Sequence, residues 1–207
     1  MAPPDPASSS EVSPAYGPLP PPDFTTRALP TDVISARSRL VRLHRNDLRP
    51  LFFGGTGGNR FDDPRKEFGT CYLATSIEGA FAETCLRSVG ARFVALSFLD
   101  ARSFCDIEVV APLRVVSLHG SGLAQLGATG AVTSGPHVVA QEWSRAIHDH
   151  PAAPDGISYR SNHDNGELCI ALFDRASHHL APGLPQPVLG DKHRLAALLN
   201  RYNVGLG

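Results

Sequence analysis

The sequence predicts a single mixed α+β domain preceded by a proline-rich arm. Three observations lead to this reading. The chain has 207 residues, 42% of them hydrophobic, which suits one core and is too little for two full domains. From residue 39 onward, short runs with a period of two are interleaved with stretches whose apolar residues recur every three or four positions. Half of the 18 prolines precede residue 31, in a stretch with few charges.

Residues 1–30, with Ser8 to Ser10 and the run Pro18, Pro20, Pro21 and Pro22, have no hydrophobic periodicity and are expected to form a flexible or extended arm. The domain is expected over about 37–205. Leu40-Val41-Arg42-Leu43-His44 alternates as a strand does, with Arg42 and His44 opposite Val41 and Leu43. A glycine-rich loop, Gly54 to Asp62, and a short strand, Thr70 to Ala74, come next. Ser76 suits the N-cap of a helix running to about Val89, where Gly90 stops it. Phe93–Phe98 and Arg114–Leu118 are expected as strands. Val139, Trp143 and Ile147 recur at helical spacing between Pro136 and His148. Gly156–Ser161 and Leu168–Phe173 are two further strands joined by the polar turn Asn162 to Gly166. Asp191 caps a last helix, about 191–203, with Leu195, Leu198 or Leu199, and Tyr202 on one face.

Charge and cysteine usage exclude several classes. Nineteen Lys+Arg against 20 Asp+Glu leave a net charge of -1, which argues against a protein that coats nucleic acid or anionic membrane. Only Lys66 and Lys192 are lysines, a skew consistent with a GC-rich genome, although arginine is also the planar fork that grips phosphates. Four cysteines, at 71, 85, 105 and 169, form no C-x-x-C pair, so structural zinc, any other metal site and a disulfide framework are not expected. The apolar stretches fall far short of the roughly 20 residues that span a bilayer, and no secretory signal is visible at the N-terminus. A reduced, cytoplasmic protein is expected.

The glycine-rich loop fails both nucleotide motifs. Gly58 is followed by Asn59 and Arg60 where a P-loop needs Gly-Lys-Ser/Thr, and Gly55-Thr56-Gly57-Gly58 lacks the spacing of a dinucleotide fingerprint. What remains is a loop that delivers Arg60. Taken alone, Glu83 reads as the solvated i, i+4 partner of Arg87, worth about 0.2–0.5 kcal/mol. Ser161 alone reads as a turn serine bonded to its own backbone, and no G-x-S-x-G elbow supports a serine hydrolase.

In order, however, Leu40 to Arg45, the glycine-rich loop, Asn59-Arg60-Phe61-Asp62, Tyr72-Leu73-Ala74, Ala80 to Thr84 and Asp155 to Ser161 resemble the RES-domain family over about residues 37–176. That family is named for an arginine, a glutamate and a serine, and includes toxins of bacterial toxin–antitoxin modules paired with Xre-like antitoxins. The resemblance implies a fold like that of diphtheria-toxin-like ADP-ribosyltransferases and NAD⁺ as substrate, consumed by hydrolysis, by phosphorolysis or by transfer of ADP-ribose to a protein acceptor. It implies that Arg42, Glu83 and Ser161 are the catalytic trio. Arg60 and Tyr72 would join them in holding NAD⁺, with Arg42 and Arg60 on the pyrophosphate and Tyr72 against the nicotinamide. An Xre-like antitoxin in a hetero-oligomeric complex would cover this cleft.

The implied chemistry is physically coherent. Cleaving the nicotinamide–ribose bond passes through an oxocarbenium-like transition state, as glycoside hydrolysis does. Nicotinamide leaves as a neutral molecule from a cationic ground state, so no general acid is needed and one carboxylate can suffice. A competing reading from another class is a non-enzymatic, arginine-rich nucleic-acid-binding or regulatory module, built on Arg37, Arg39, Arg42, His44, Arg45 and Arg49. The neutral net charge and sparse aromatics weigh against it.

Overall fold

The computed structural model describes residues 17–87, 90 and 92–207, and a nine-stranded sheet organises them. In chain order the strands are β1 (Thr31–Ile34), β2 (Arg39–Arg45), β3 (Thr70–Ala74), β4 (Phe93–Val94), β5 (Arg102–Val109), β6 (Leu113–Ser117), β7 (Gly156–Arg160), β8 (Leu168–Phe173), β9 (Leu180–Pro182), β10 (Gln186–Pro187) and β11 (Gly205–Leu206). The sheet runs β1-β6-β7-β8-β3-β2-β5-β10, with β9 also on β5, while β4 and β11 form a separate parallel ribbon. Only β6 and β7 pair in parallel within the main sheet. The helices are α1 (Ile77–Cys85), α2 (Leu96–Asp100), α3 (Gly120–Leu126), α4 (Ala131–Ser134), α5 (His137–His148) and α6 (Lys192–Arg201).

The period-two alternation sorts side chains into two cores. Leu43, Ala74, Tyr159, Ala171 and Phe173 face one way; Leu40, Cys71, Leu73, Ile107, Val115, Ile170 and Leu172 face the other. Every helix sends its buried side chains into the first core, among them Phe81, Leu99, Leu126, Val132, Trp143 and Leu195. The second core is covered by Leu51 and Phe53 of the loop after β2, by Ile34 of β1, and by Ala176 and Leu180. Among the described residues, no helix is long and apolar enough to cross a membrane.

β2, β3, β7, β8, α5 and α6 lie where periodicity places them. Ser76 caps α1 by accepting from the Gly79 amide at 2.9 Å, and Asp191 caps α6 by accepting from the Arg194 amide at 2.9 Å. Other expectations fail. The run Phe93–Phe98 is not a strand: pairing stops at Val94 and α2 begins at Leu96. A continuous apolar run does not distinguish a buried strand from a buried helix turn, and here Leu99 points into the core from the helix. α1 ends at Cys85, short of Val89, which lies outside the described residues. The longest strand, β5, and also β1, α3 and α4 carry no expectation from the sequence.

The arm is the largest departure. Its first sixteen residues lie outside the described ones, but 17–30 are held against α5. Phe24 is buried and meets Trp143 edge-on at 5.5 Å, the Trp143 indole donates to the Pro18 carbonyl at 2.8 Å, and His150 lies 3.1 Å from the Arg27 carbonyl. A proline-rich composition lowers the entropy lost on ordering, so one aromatic anchor is enough to dock the segment. Phe24→Ala is expected to cost about 3–5 kcal/mol of unfolding free energy, measured by denaturant melts. A loss below about 1 kcal/mol would return the segment to the status of a loose tail.

Candidate functional site

The site lies on the helical side of the sheet, where α1 packs over β2, β3 and β8 and side chains from the end of β7 reach its Glu83. Capping by Ser76 fixes the start of α1, and Phe81, fully buried, fixes its rotation. Glu83 then falls at the edge of the buried face. Its carboxylate does not pair with Arg87, as the isolated helix suggests. Arg87 Nε instead donates to the Glu83 backbone carbonyl at 2.8 Å, which satisfies an open carbonyl at the helix end. The carboxylate is gripped by two hydroxyls: Ser161 Oγ donates to Oε1 at 2.6 Å, and Tyr159 OH donates to Oε2 at 3.0 Å.

The two donors stand one strand period apart at the end of β7, so pleating points both at the helix. Burial, with the Glu83 charge next in weight, raises the Tyr159 phenol well above its usual value, so it stays a donor throughout the physiological range. Ser161 Oγ also accepts from the amides of His163 and Asp164, at 3.1 and 3.3 Å. The turn-serine reading and the functional reading of Ser161 are therefore both present in one atom.

A second phenol–carboxylate pair stands beside the first. Tyr72 OH donates to Asp62 Oδ1 at 2.9 Å and accepts from the Phe61 amide at 2.9 Å. Burial, reinforced by Asp62, raises this phenol too. Asp62 is fully buried, and its other oxygen takes the Asn59 amide and Asn59 Nδ2, each at 3.0 Å, and the Thr56 hydroxyl at 3.3 Å. Gln141 of α5 closes the loop from outside by donating to the carbonyls of Gly57 and Asn59 at 2.8 and 3.0 Å. The glycine-rich loop is thus pinned at both ends.

That pinned loop presents Arg60. Its guanidinium is partly buried, donates to the Gly135 carbonyl at 2.7 Å, and lies within electrostatic reach of Glu83, Tyr159 and Tyr72. Burial pulls its pKa below the usual arginine value, against the opposing charge of Glu83. Among the described residues no carboxylate lies within 4 Å of it. A partly buried cation without an ion-pair partner is costly in an isolated domain and marks a place for an anionic ligand. His137 and Arg87 sit at the same rim. Burial, and then the Arg60 charge, lowers the His137 pKa, so the ring is neutral near pH 7. Among the described residues, no group of three His, Cys, Asp or Glu side chains is placed to hold a metal ion.

Of the five residues singled out from the sequence, Glu83, Ser161, Arg60 and Tyr72 share this cleft, and Arg42 does not. Arg42 Nη1 donates to the carbonyls of Pro50 and Phe52, at 2.6 and 3.0 Å, and contacts Cys71 Sγ at 2.7 Å. Cys71 and Tyr72 are neighbours on one strand and point to opposite faces, so the sheet stands between Arg42 and Glu83. Burial pushes the Cys71 thiol up to about 11 although Arg42 pulls the other way, so the sulfur stays a thiol. Arg42 therefore ties the loop after β2 to the sheet. Arg42→Ala is expected to cost about 1–3 kcal/mol in a denaturant melt by stranding two carbonyls, with nucleotide affinity of the folded variant unchanged. A loss of affinity with stability intact would return Arg42 to the binding role. In the arginine stretch Arg42 is tied inward, Arg45 pairs with Asp47 and Arg39 lies 3.9 Å from Asp106, while Arg37 and Arg49 are exposed.

Tyr159, Asp62 and His137 are absent from the sequence-based site. For Tyr159 a signal existed, since a hydroxyl two residues before Ser161 on one strand must share its face.

Fold and cleft together define an α+β protein whose candidate site joins a hydroxyl-clamped carboxylate to a guanidinium with no ion-pair partner among the described residues. Comparison with known proteins supplies the family: the RES domain model matches residues 39–194, and the chain belongs to the RES-domain family. It is 31% identical over 123 residues to the probable toxin y4kH of Sinorhizobium fredii, covering 59% of this chain and 96% of that protein. Its fold matches a chain in the crystal structure of the M. tuberculosis MbcT–MbcA toxin–antitoxin complex. There the TM-score is 0.61 and the identity 17%, over 80% of this chain and 92% of that one.

Proposed function

We propose that this protein is the toxin of a toxin–antitoxin module and cleaves the nicotinamide–ribose bond of NAD⁺. The observation that carries this reading is the Glu83 carboxylate, oriented by two hydroxyl donors beside the unpaired guanidinium of Arg60. As the C1′–N bond breaks, its electron pair returns to the pyridinium ring and nicotinamide departs neutral. Positive charge moves onto the ribose, where Glu83 stabilises it and accepts a bond from the 2′-hydroxyl. Arg60 takes a pyrophosphate oxygen through charge-assisted bonds. Water, or inorganic phosphate, then adds to C1′; water gives up its proton to solvent. Tyr159 and Ser161 hold the carboxylate still, so little reorganisation is needed at the transition state.

The family, the name of the relative y4kH and the complex in which the structural neighbour was solved all support a toxin held by an antitoxin. The partner is expected to be Xre-like and to set anionic groups against Arg60 and Arg87. The test is incubation of purified protein with NAD⁺, with and without phosphate. Release of nicotinamide together with ADP-ribose, or with its 1″-phosphate when phosphate is present, is the expected result. Intact NAD⁺ would overturn the assignment, and label moved from NAD⁺ onto a protein would redirect it to ADP-ribosyl transfer. Expressed alone in a heterologous bacterium the protein should arrest growth, and the partner should restore it.

A further inference from the structure

The cleft's serine sits on a loop braced by Arg201 and Tyr202 at the end of α6, beyond the family match, which ends at residue 194. The loop 161–167 closes on itself: the Ser161 amide donates to the Glu167 carbonyl at 3.1 Å and the Glu167 amide to the Asp164 carbonyl at 2.9 Å. Its two carboxylates face α6. Arg201 Nη2 bridges them, at 2.9 Å from Glu167 Oε1 and 3.3 Å from Asp164 Oδ2. Tyr202 OH donates to the same Asp164 oxygen at 3.0 Å, with the Glu78 carbonyl of α1 at 3.2 Å. The Tyr202 ring lies parallel to Phe81, at 5.9 Å between centroids and 10° between planes. Glu167 reaches on to the Ser76 hydroxyl that caps α1.

Tyr202 therefore touches a neighbour of each member of the Glu83–Ser161 pair, Phe81 on the helix and Asp164 on the loop. Phe81 stands two residues before Glu83 in α1, and Asp164 donates its amide to Ser161. Glu167 and Asp164 are largely shielded from solvent, and a guanidinium shared by two such carboxylates is a network rather than a lone surface pair. Burial alone raises the Asp164 carboxyl, but the Gly166 amide, Tyr202 and Arg201 together hold it below its usual range, so the brace stays charged at neutral pH.

We infer that Tyr202 and Arg201 are positioning residues for Ser161: through Asp164 and Glu167 they set the hydroxyl that orients the Glu83 carboxylate. This rests on the NAD⁺-cleaving reading for its effect on rate, but not for its effect on the loop. The test uses Tyr202→Phe, which keeps the stack on Phe81 and removes only the hydroxyl, alone and combined with Arg201→Gln. Two quantities are read in the full chain. One is exchange of the His163 and Asp164 amide protons, which bond Ser161 Oγ. The other is nicotinamide release, as kcat and KM, in the Ser161 and Ser161→Ala backgrounds.

Faster exchange of both amides, at least about tenfold, is expected in the double variant with the thermal midpoint little changed. The same variant should lose about tenfold in kcat with KM unchanged, because a displaced orienting group affects the transition state more than binding. In the Ser161→Ala background the two substitutions should have no further effect on kcat. Arg201→Lys should recover only part of the loss, since one ammonium cannot match the bridging fork. Unchanged exchange at the two amides, or an equal loss of kcat in both backgrounds, overturns the inference. If the wild-type protein releases no nicotinamide, the proposed function falls, and amide exchange still decides the brace.

Discussion

Glu83→Gln is expected to reduce nicotinamide release from NAD⁺ by about 10²–10³-fold. The amide has nearly the shape of the carboxylate, so substrate can still enter, but it cannot neutralise an oxocarbenium ion. The two hydroxyl donors add a second consequence. Both oxygens of Glu83 accept, from Ser161 and from Tyr159, whereas an amide offers one acceptor and one donor. One hydroxyl must turn round. For the buried Tyr159 this is costly, and about 1 kcal/mol of stability should go with the activity. Turnover in initial-rate assays and unfolding by denaturant separate the two losses. A variant that keeps turnover within a few-fold of wild type would make Glu83 a structural anchor for β7 and nothing more.

Arg60→Ala should move affinity and stability in opposite directions. Loss of charge-assisted bonds to a pyrophosphate is worth about 1.5–3 kcal/mol, which is roughly 10- to 150-fold in NAD⁺ affinity. The folded protein, in contrast, loses a partly buried charge that has no ion-pair partner among the described residues, with only the Gly135 carbonyl left open. Its stability should therefore hold or rise. Arg60→Lys should recover little of the affinity, because a point charge does not reproduce the planar fork. Isothermal titration with NAD⁺ and thermal melts on the same samples give both signs. Equal loss of affinity and stability would mean that Arg60 holds the Gly135 turn rather than a ligand.

The elements with strict periodicity were legible before any coordinates. β2, β3, β7 and β8 alternate cleanly, and Ser76 and Asp191 announce their helices by cap chemistry. β5 had a readable signal in Cys105-Asp106-Ile107-Glu108-Val109, whose even members are exposed and odd members buried. The site was legible in part. Glu83 and Ser161 needed long-range pairing to meet, because α1 and β7 are joined through β3 and β8, and no local pattern encodes that. The Arg42 placement left a partial signal in the sequence. Its strand sets Arg42 opposite Val41 and Leu43, and the structure shows that those two face the core that receives α1. Arg42 and Glu83 then fall on different sides. Asp62 escaped notice because a buried carboxylate that organises a loop looks, in sequence, like any other turn aspartate.

The order of the sheet has a bearing on how such a protein comes to life on the ribosome. β3 and β8 are neighbours at its centre, yet Thr70 pairs with Phe173, roughly a hundred residues later in synthesis. Until β8 has emerged, β7 has no partner to bring it alongside β3, and Glu83 has neither the Tyr159 nor the Ser161 hydroxyl. At a translation speed of about 5–20 residues per second, the interval between α1 and β8 lasts several seconds. Throughout it the nascent chain carries its carboxylate unarmed. Nascent chains stalled before β8 lack the completed hydroxyl clamp for the same reason.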